Sequence, residues 1–219
     1  LFAQLPGGLT EGRWRWFMDP NLQFMDVPPD RACIDALAAN SVAVTLNRNV
    51  RSTREIVTTI RSLLDADVGT AQIDGFGIKV GFHKVSNPDG EIAYLRTMVT
   101  NMLEDGIQPS QIAILGANGL SGPVCVEMLK LLPEIFRPLS AEGKIRSSSH
   151  GVVCSIPEFR GLESRVVFLV DLNLLPGGIR GESLLYIGMS RASASLQMMV
   201  SPAFSAFMKV LVKQSFKRN

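Results

Sequence analysis

Two arginines stand where a chain of this kind could handle phosphate. Arg191 closes the segment Leu184-Leu185-Tyr186-Ile187-Gly188-Met189-Ser190-Arg191-Ala192, at the end of an apolar helical turn and just before a strand-like run, Ser195 to Ser201. So placed, a guanidinium can reach out of an α/β core toward a phosphate. Arg51, in Leu46-Asn47-Arg48-Asn49-Val50-Arg51-Ser52, falls at a strand's carboxyl end and immediately ahead of a helix amino terminus. Free helix N–H groups and a guanidinium fork both favour an anion at such a place. The segment Phe17-Met18-Asp19-Pro20-Asn21-Leu22-Gln23 ends a strand with a carboxylate and an amide able to orient water or a phosphate oxygen. In Ser155-Ile156-Pro157-Glu158-Phe159-Arg160-Gly161-Leu162-Glu163, Gly161 permits close backbone approach and Glu163 can accept hydrogen bonds from a ribose hydroxyl. Each segment alone also reads as ordinary structure: a solvated helix end at Arg191, an Asx turn at Asp19, a surface charge at Glu163.

Other chemistry-bearing residues lead nowhere comparable. Gly75-Phe76-Gly77-Ile78-Lys79-Val80-Gly81 has its third glycine one residue late for a dinucleotide fingerprint and precedes a strand instead of following one. Gly143-Lys144 is followed by Ile145, so the chain has no P-loop of its own. Of the two histidines, His83 sits in a strand and His150 in a serine-rich turn, and both read as structural or surface residues. The three cysteines, Cys33, Cys125 and Cys154, are far apart in apolar contexts, which suggests neither a disulfide framework nor a metal site.

The elements that must position the arginines alternate. Trp14 to Met18 reads as a strand ending in the Asp19-Pro20 turn; Pro28-Pro29 interrupts the chain before a short helical stretch, Ile34 to Ala39. Val42 to Leu46 reads as a buried strand. Ser52-Thr53-Arg54-Glu55 has capping-box spacing, and Ile56, Val57, Ile60, Leu63 and Leu64 line one helical face behind it. After a glycine-rich stretch, Ile78 to Val85 reads as a strand, and Ile92, Leu95, Val99, Met102 and Leu103 as an amphipathic helix closed by Gly106. Ile112 to Leu115 is a strand, Val124 to Leu132 a helix, and Gly151 to Ile156 and Val166 to Leu172 are strands. A helix around Leu184 to Ser190 and a strand at Leu196 to Val200 follow; Phe204 to Val212 closes the chain as a helix, with a basic frayed tail from Lys209 to Asn219. Such alternation implies a parallel α/β sheet flanked by helices.

The bulk numbers fit that class. A chain of 219 residues that is 46% hydrophobic can build a sizeable core, and a formal net charge of +2 permits nucleic acid without requiring it. No apolar run approaches the roughly 18 to 20 residues needed to span a bilayer, and the cysteine usage points to a reduced, cytoplasmic setting. Residue 1 is Leu, so a portion of a longer protein is expected.

Taken in order, the four segments resemble motifs III, IV, V and VI of superfamily 1 helicases of the UvrD/Rep type, over about Trp14 to Val200. The resemblance implies a RecA-like (P-loop NTPase-type) second motor domain over 41–219, without its own P-loop, and a remnant of the first motor domain over 1–30. It further implies that Gln23 senses the γ-phosphate, that Arg51 and Arg191 hold and polarise it, and that Glu163 contacts the ribose, with Asp19 and Gly161 also at the nucleotide. Ser155, in place of the family's threonine, and Arg160, in place of a lysine, would meet nucleic acid. Val50 stands where the family has a base-stacking tyrosine, and Pro157 where it has a histidine. Walker A and Walker B, which bind ATP and Mg²⁺, belong to the first motor domain and are absent here, so this polypeptide alone is expected to hydrolyse no ATP and to hold no cofactor. The implied partners are single-stranded DNA, with RNA also possible, and the first motor domain; no membrane is implied. The rival reading from another class is a helicase-derived binding or regulatory module, and fusion of the motor to a nuclease is a third.

Overall fold

Val166-Val167-Phe168-Leu169-Val170, apolar at every position, lies at the heart of a six-stranded sheet, each residue at most 2% exposed. A strand with no polar side needs cover on both faces, and helices supply it. The computed structural model describes residues 6–19, 30–39, 41–42, 44–75, 78–139 and 149–218. In chain order the elements are α1 (Gly8–Glu11), α2 (Arg31–Ala39), β1 (Arg48–Thr53), α3 (Arg54–Leu64), β2 (Thr70–Ile73), β3 (Gly81–Lys84), α4 (Pro88–Glu104) and β4 (Ile112–Gly116). There follow α5 (Pro123–Leu131), β5 (Phe136–Pro138), β6 (Gly151–Ser155), β7 (Ser164–Val170), α6 (Gly178–Met189), β8 (Ala192–Val200) and α7 (Pro202–Arg218). The main sheet has the order β3-β8-β7-β4-β6-β5 with every neighbouring pair parallel. β1 and β2 form a separate parallel pair.

The period of two along each strand divides the core. Ala113, Leu115, Val167, Leu169, Leu196 and Met198 face one side, with residues of α3, α6 and α7; Ile112, Ile114, Val166, Phe168, Val170 and Met199 face the other, with α4 and α5. On α3 the buried positions are Ile56, Val57, Ile60, Leu63 and Leu64, the face read from the sequence. α4 starts at Asn87, whose side chain accepts from the Gly90 N–H at 2.8 Å, and its end is closed by Gly106 at φ 87°.

Four sequence expectations are corrected. Trp14 to Met18 is not a strand: it runs without regular structure, with Trp16, Phe17 and Met18 at 41, 80 and 41% exposed. Val42, Val44 and Leu46 belong to no strand and are exposed; the strand begins at Arg48, because β2 pairs with Arg48, Asn49 and Thr53. β-Branched residues favour a strand only where a partner ladder exists, and that partner is only four residues long, too short for its alternation to stand out. The capping box is absent: the N-cap of α3 is Thr53 and makes no side-chain cap bond, while the Ser52 hydroxyl donates to the Ala192 carbonyl at 2.8 Å. Finally, α7 continues through the basic tail to Arg218, a stretch rich in good helix formers. Gln23, Pro28-Pro29 and Gly143-Lys144 lie outside the described residues.

Candidate functional site

Parallel pairing puts the starts of β7 and β8 side by side. Ser164 is in register with Ala192, and the Ser164 N–H donates to the Arg191 carbonyl at 3.0 Å. The residues just ahead of the two strands, Glu163 and Arg191, therefore emerge together at the amino edge of the sheet. The Ser52 bond to Ala192 docks β1 at the same edge and brings in Arg51, whose Nε lies 2.7 Å from Glu163 Oε2. One turn before its end, α6 contributes Tyr186, whose hydroxyl donates to Asp19 Oδ2 at 2.7 Å. Asp19, Arg51, Glu163, Tyr186 and Arg191 thus converge from four separate stretches of chain.

Arg191 is 4% exposed. Its Nε donates to the Ile187 carbonyl at 3.1 Å, Nη1 to the Leu162 carbonyl at 3.4 Å and Nη2 to Ser190 Oγ at 2.9 Å, which fixes the fork. Among the described residues no carboxylate oxygen lies within 4.0 Å of it. Burial lowers its pKa, and the neighbouring charge of Arg51 lowers it further; Tyr186, Asp19 and Glu163 act in the opposite sense. A guanidinium stays protonated regardless, so the site holds a desolvated positive charge beside a second one. Arg51 is more accessible, with 42% of its side chain exposed, and only its Nε is engaged among the described residues, which leaves Nη1 and Nη2 open toward solvent. The arrangement suits a tetrahedral oxyanion reached by two guanidiniums.

The opposite, carboxyl edge is arranged differently. Arg51 lies near the carboxyl end of its own strand, just ahead of α3, but β1 belongs to the small sheet, and the cluster it joins lies on the amino edge of the main one. At the carboxyl edge the amino end of α5 is occupied from within: Asp171 accepts the Val124 N–H at 3.3 Å and the Cys125 N–H at 3.5 Å. Glu91 in turn accepts the Asp171 N–H at 2.9 Å. Burial, opposed by this hydrogen bond and aided by the charge of Asp171, pushes Glu91 from 4.5 up to about 7. The Asp171 carboxyl is also raised, chiefly by burial.

No family model matches the chain, and no curated protein matches it. Among solved structures, the C-terminal domain of a possible DNA helicase from Lactobacillus plantarum WCFS1 is similar, with a TM-score of 0.53 and 19% sequence identity over 74% of this chain and 96% of that one. The fold is RecA-like. At that identity the likeness is one of architecture, a parallel six-stranded α/β sheet, and the residues must speak for the site.

Of the residues singled out in the sequence, Asp19, Arg51, Glu163 and Arg191 are brought together, and Glu163 is found as the ion-pair partner of Arg51. Ser155 is far from them. It ends β6 at the carboxyl edge, and since β6 and β7 both run parallel to β4, residues 156–163 must travel back the length of a strand, about 15 to 20 Å, to start β7. The Ser155 hydroxyl and N–H both donate to Glu158 Oε2, at 2.6 and 2.7 Å. Arg160 is exposed on the returning segment, and Gly161 adopts φ 85° with nothing within 4 Å of where a Cβ would stand. Gly161 is thus demanded by the turn. Tyr186 is the member that sequence reasoning overlooked. The sequence places it within an apolar helical turn, and at 2% exposed it is core by burial; only the position of Asp19 reveals its bond. Among the described residues no group of three or more His, Cys, Asp or Glu is placed to hold a metal ion, and no helix is long and apolar enough to cross a membrane.

Proposed function

We propose that the chain is the carboxyl-terminal motor domain of an ATP-dependent superfamily 1 helicase of the UvrD/Rep type, with 41–219 as the domain and 1–30 as a remnant of the first one. The observation that carries this is Arg191: a buried guanidinium with no carboxylate oxygen within 4.0 Å among the described residues, set beside the open fork of Arg51. A desolvated charge held by carbonyls and a hydroxyl gains most from an anion that arrives from outside. The ordered motif resemblance and the RecA-like fold support the same reading.

The residues present fit a nucleotide in part. Arg51 and Arg191 supply donors for phosphate oxygens, and Glu163 supplies an acceptor for a ribose hydroxyl once Arg51 turns to the phosphate. The described residues offer no acidic cluster for Mg²⁺, so the metal, Walker A and Walker B are assigned to the first motor domain in the intact protein. When bound between the two domains, Mg²⁺-ATP supplies the phosphoryl group that is transferred to water. Arg51 and Arg191 would neutralise the charge that builds on it, the backbone carbonyls of Ile187 and Leu162 keep the Arg191 fork aimed, and Gln23, by the motif resemblance, would sense the γ-phosphate. Single-stranded DNA is the proposed track, with Ser155 and Arg160 on its side of the sheet.

The test is steady-state ATP hydrolysis by the full-length protein at low salt, with and without single-stranded DNA. DNA-stimulated turnover is the expected result. A folded protein that hydrolyses nothing under either condition favours the second reading, a helicase-derived binding module. Two observations lean that way: Glu158 already occupies both donors of Ser155, and Val50, 72% exposed, offers no ring for a base.

A further inference from the structure

Tyr186 has no task in the phosphate chemistry proposed above, yet it is built into the cluster. Its ring is buried in α6, its carbonyl accepts the Ser190 N–H at 3.0 Å next to Arg191, and its hydroxyl gives a 2.7 Å charge-assisted bond to Asp19. Asp19 belongs to an amino-terminal arm whose residues 12–19 have neither helix nor strand. Trp16, Phe17 and Met18 of this arm stand 41, 80 and 41% exposed, so apolar packing fixes it weakly there and a polar contact matters more. Asp19 is also close enough to Arg191 to influence its titration, as is Tyr186. A phosphate held by Arg51 and Arg191 would therefore bring negative charge up to the Asp19 carboxylate and push it away.

We propose that Tyr186 is a positioning residue that couples the arginine cluster to the amino-terminal arm: its hydroxyl holds Asp19 in place beside Arg191, against the repulsion of an anion seated on the arginines. The anion rests on the reading that Arg51 and Arg191 take phosphate; the hold on the arm does not. Tyr186 contributes no proton and touches no phosphate in this scheme. It fixes where the arm sits while the arginines are occupied.

The chain carries its own probe, because its two tryptophans, Trp14 and Trp16, both lie in the arm. Acrylamide quenching of tryptophan emission is measured on the whole chain, without ligand and with saturating pyrophosphate, whose binding is followed separately by calorimetry. Tyr186→Phe keeps the buried ring and removes only the hydroxyl, and Asp19→Ala removes the acceptor at the surface. Both should raise the quenching constant roughly twofold, the scale of a partly shielded arm coming free, and pyrophosphate should raise it further in Tyr186→Phe alone, which keeps the carboxylate that the anion repels. Asp19→Asn retains an acceptor oxygen without the charge, so its quenching constant should fall between wild type and Asp19→Ala and should not respond to pyrophosphate. Thermal melting checks that the variants remain folded. Equal quenching constants for wild type, Tyr186→Phe and Asp19→Ala without ligand would overturn the coupling. Failure of the wild-type chain to bind pyrophosphate would instead overturn the phosphate reading of the arginines, and the ligand-free comparison would still decide the hold on the arm.

Discussion

Glu163 stands in two roles at once, as the partner that keeps Arg51 ordered and as a competitor for it. The Arg51–Glu163 pair is about half exposed, so it stabilises the fold by at most about 1 kcal/mol and breaks easily when a phosphate arrives. Glu163→Ala is therefore expected to tighten pyrophosphate binding by a few-fold, on the order of that 1 kcal/mol, because Arg51 no longer has to be won from a carboxylate. ATP should gain nothing, since the same change removes the acceptor for its ribose. Calorimetry with the two ligands on the full-length protein separates the cases, and an equal gain for both would show that Glu163 has no role at the ribose. Arg191 differs in kind: its fork is satisfied in three directions by Ile187, Leu162 and Ser190, a geometry a lysine cannot reproduce.

Positions of side chains in the cluster depend on how elements dock, and one hydroxyl does much of this for β1. Ser52→Ala removes the donor to Ala192 and leaves a buried carbonyl without it, so the unfolding free energy should fall by about 1 to 2 kcal/mol, with weaker phosphate binding as Arg51 loses its placement. Denaturant unfolding measures the first effect; an unchanged midpoint would mean β1 is held by other contacts. At the carboxyl edge the buried Glu91 ties the start of α4 to the end of β7. Its carboxyl titrates near pH 7 in the folded chain, against 4.5 when unfolded, so between these values the folded chain holds a proton that the unfolded chain has released. Stability contributed by the protonated form is complete below pH 4.5 and is lost as pH rises toward 7. Melting temperature should thus fall from pH 5 to pH 7.5, and fall less in Glu91→Gln; a steeper fall in the variant would contradict the assignment. These ties explain what the sequence could and could not reveal about elements. The α3 face and the apolar Val166 to Val170 run of β7 were legible because burial repeats with the period of the helix or fills every position of that run. The start of β1 and the existence of β2 and β5 were not, since such short strands carry too little pattern and depend on partners distant in the chain. Asp171 and Glu91, 80 residues apart, were invisible for the same reason.

Viewed as a whole, the molecule offers two guanidiniums at the amino edge of a RecA-like sheet and carboxylates at the carboxyl edge. Four of the five clustered residues could be named in advance, Arg51 and Arg191 from the strand–helix junctions beside them and Asp19 and Glu163 from the order of the motifs that contain them. Their convergence could not be read, as it depends on parallel register between β7 and β8 and on the docking of β1 and the arm. On the proposed reading the chain is half of a catalytic unit whose arginines meet the charge of a transferred phosphoryl group. The most direct measurement is the kcat for DNA-stimulated ATP hydrolysis by the full-length protein with Arg191→Ala, against wild type. The expected result is a fall of about 10³-fold, on the scale of lost arginine fingers, with a much smaller change in KM. Turnover within a few-fold of wild type would contradict the account.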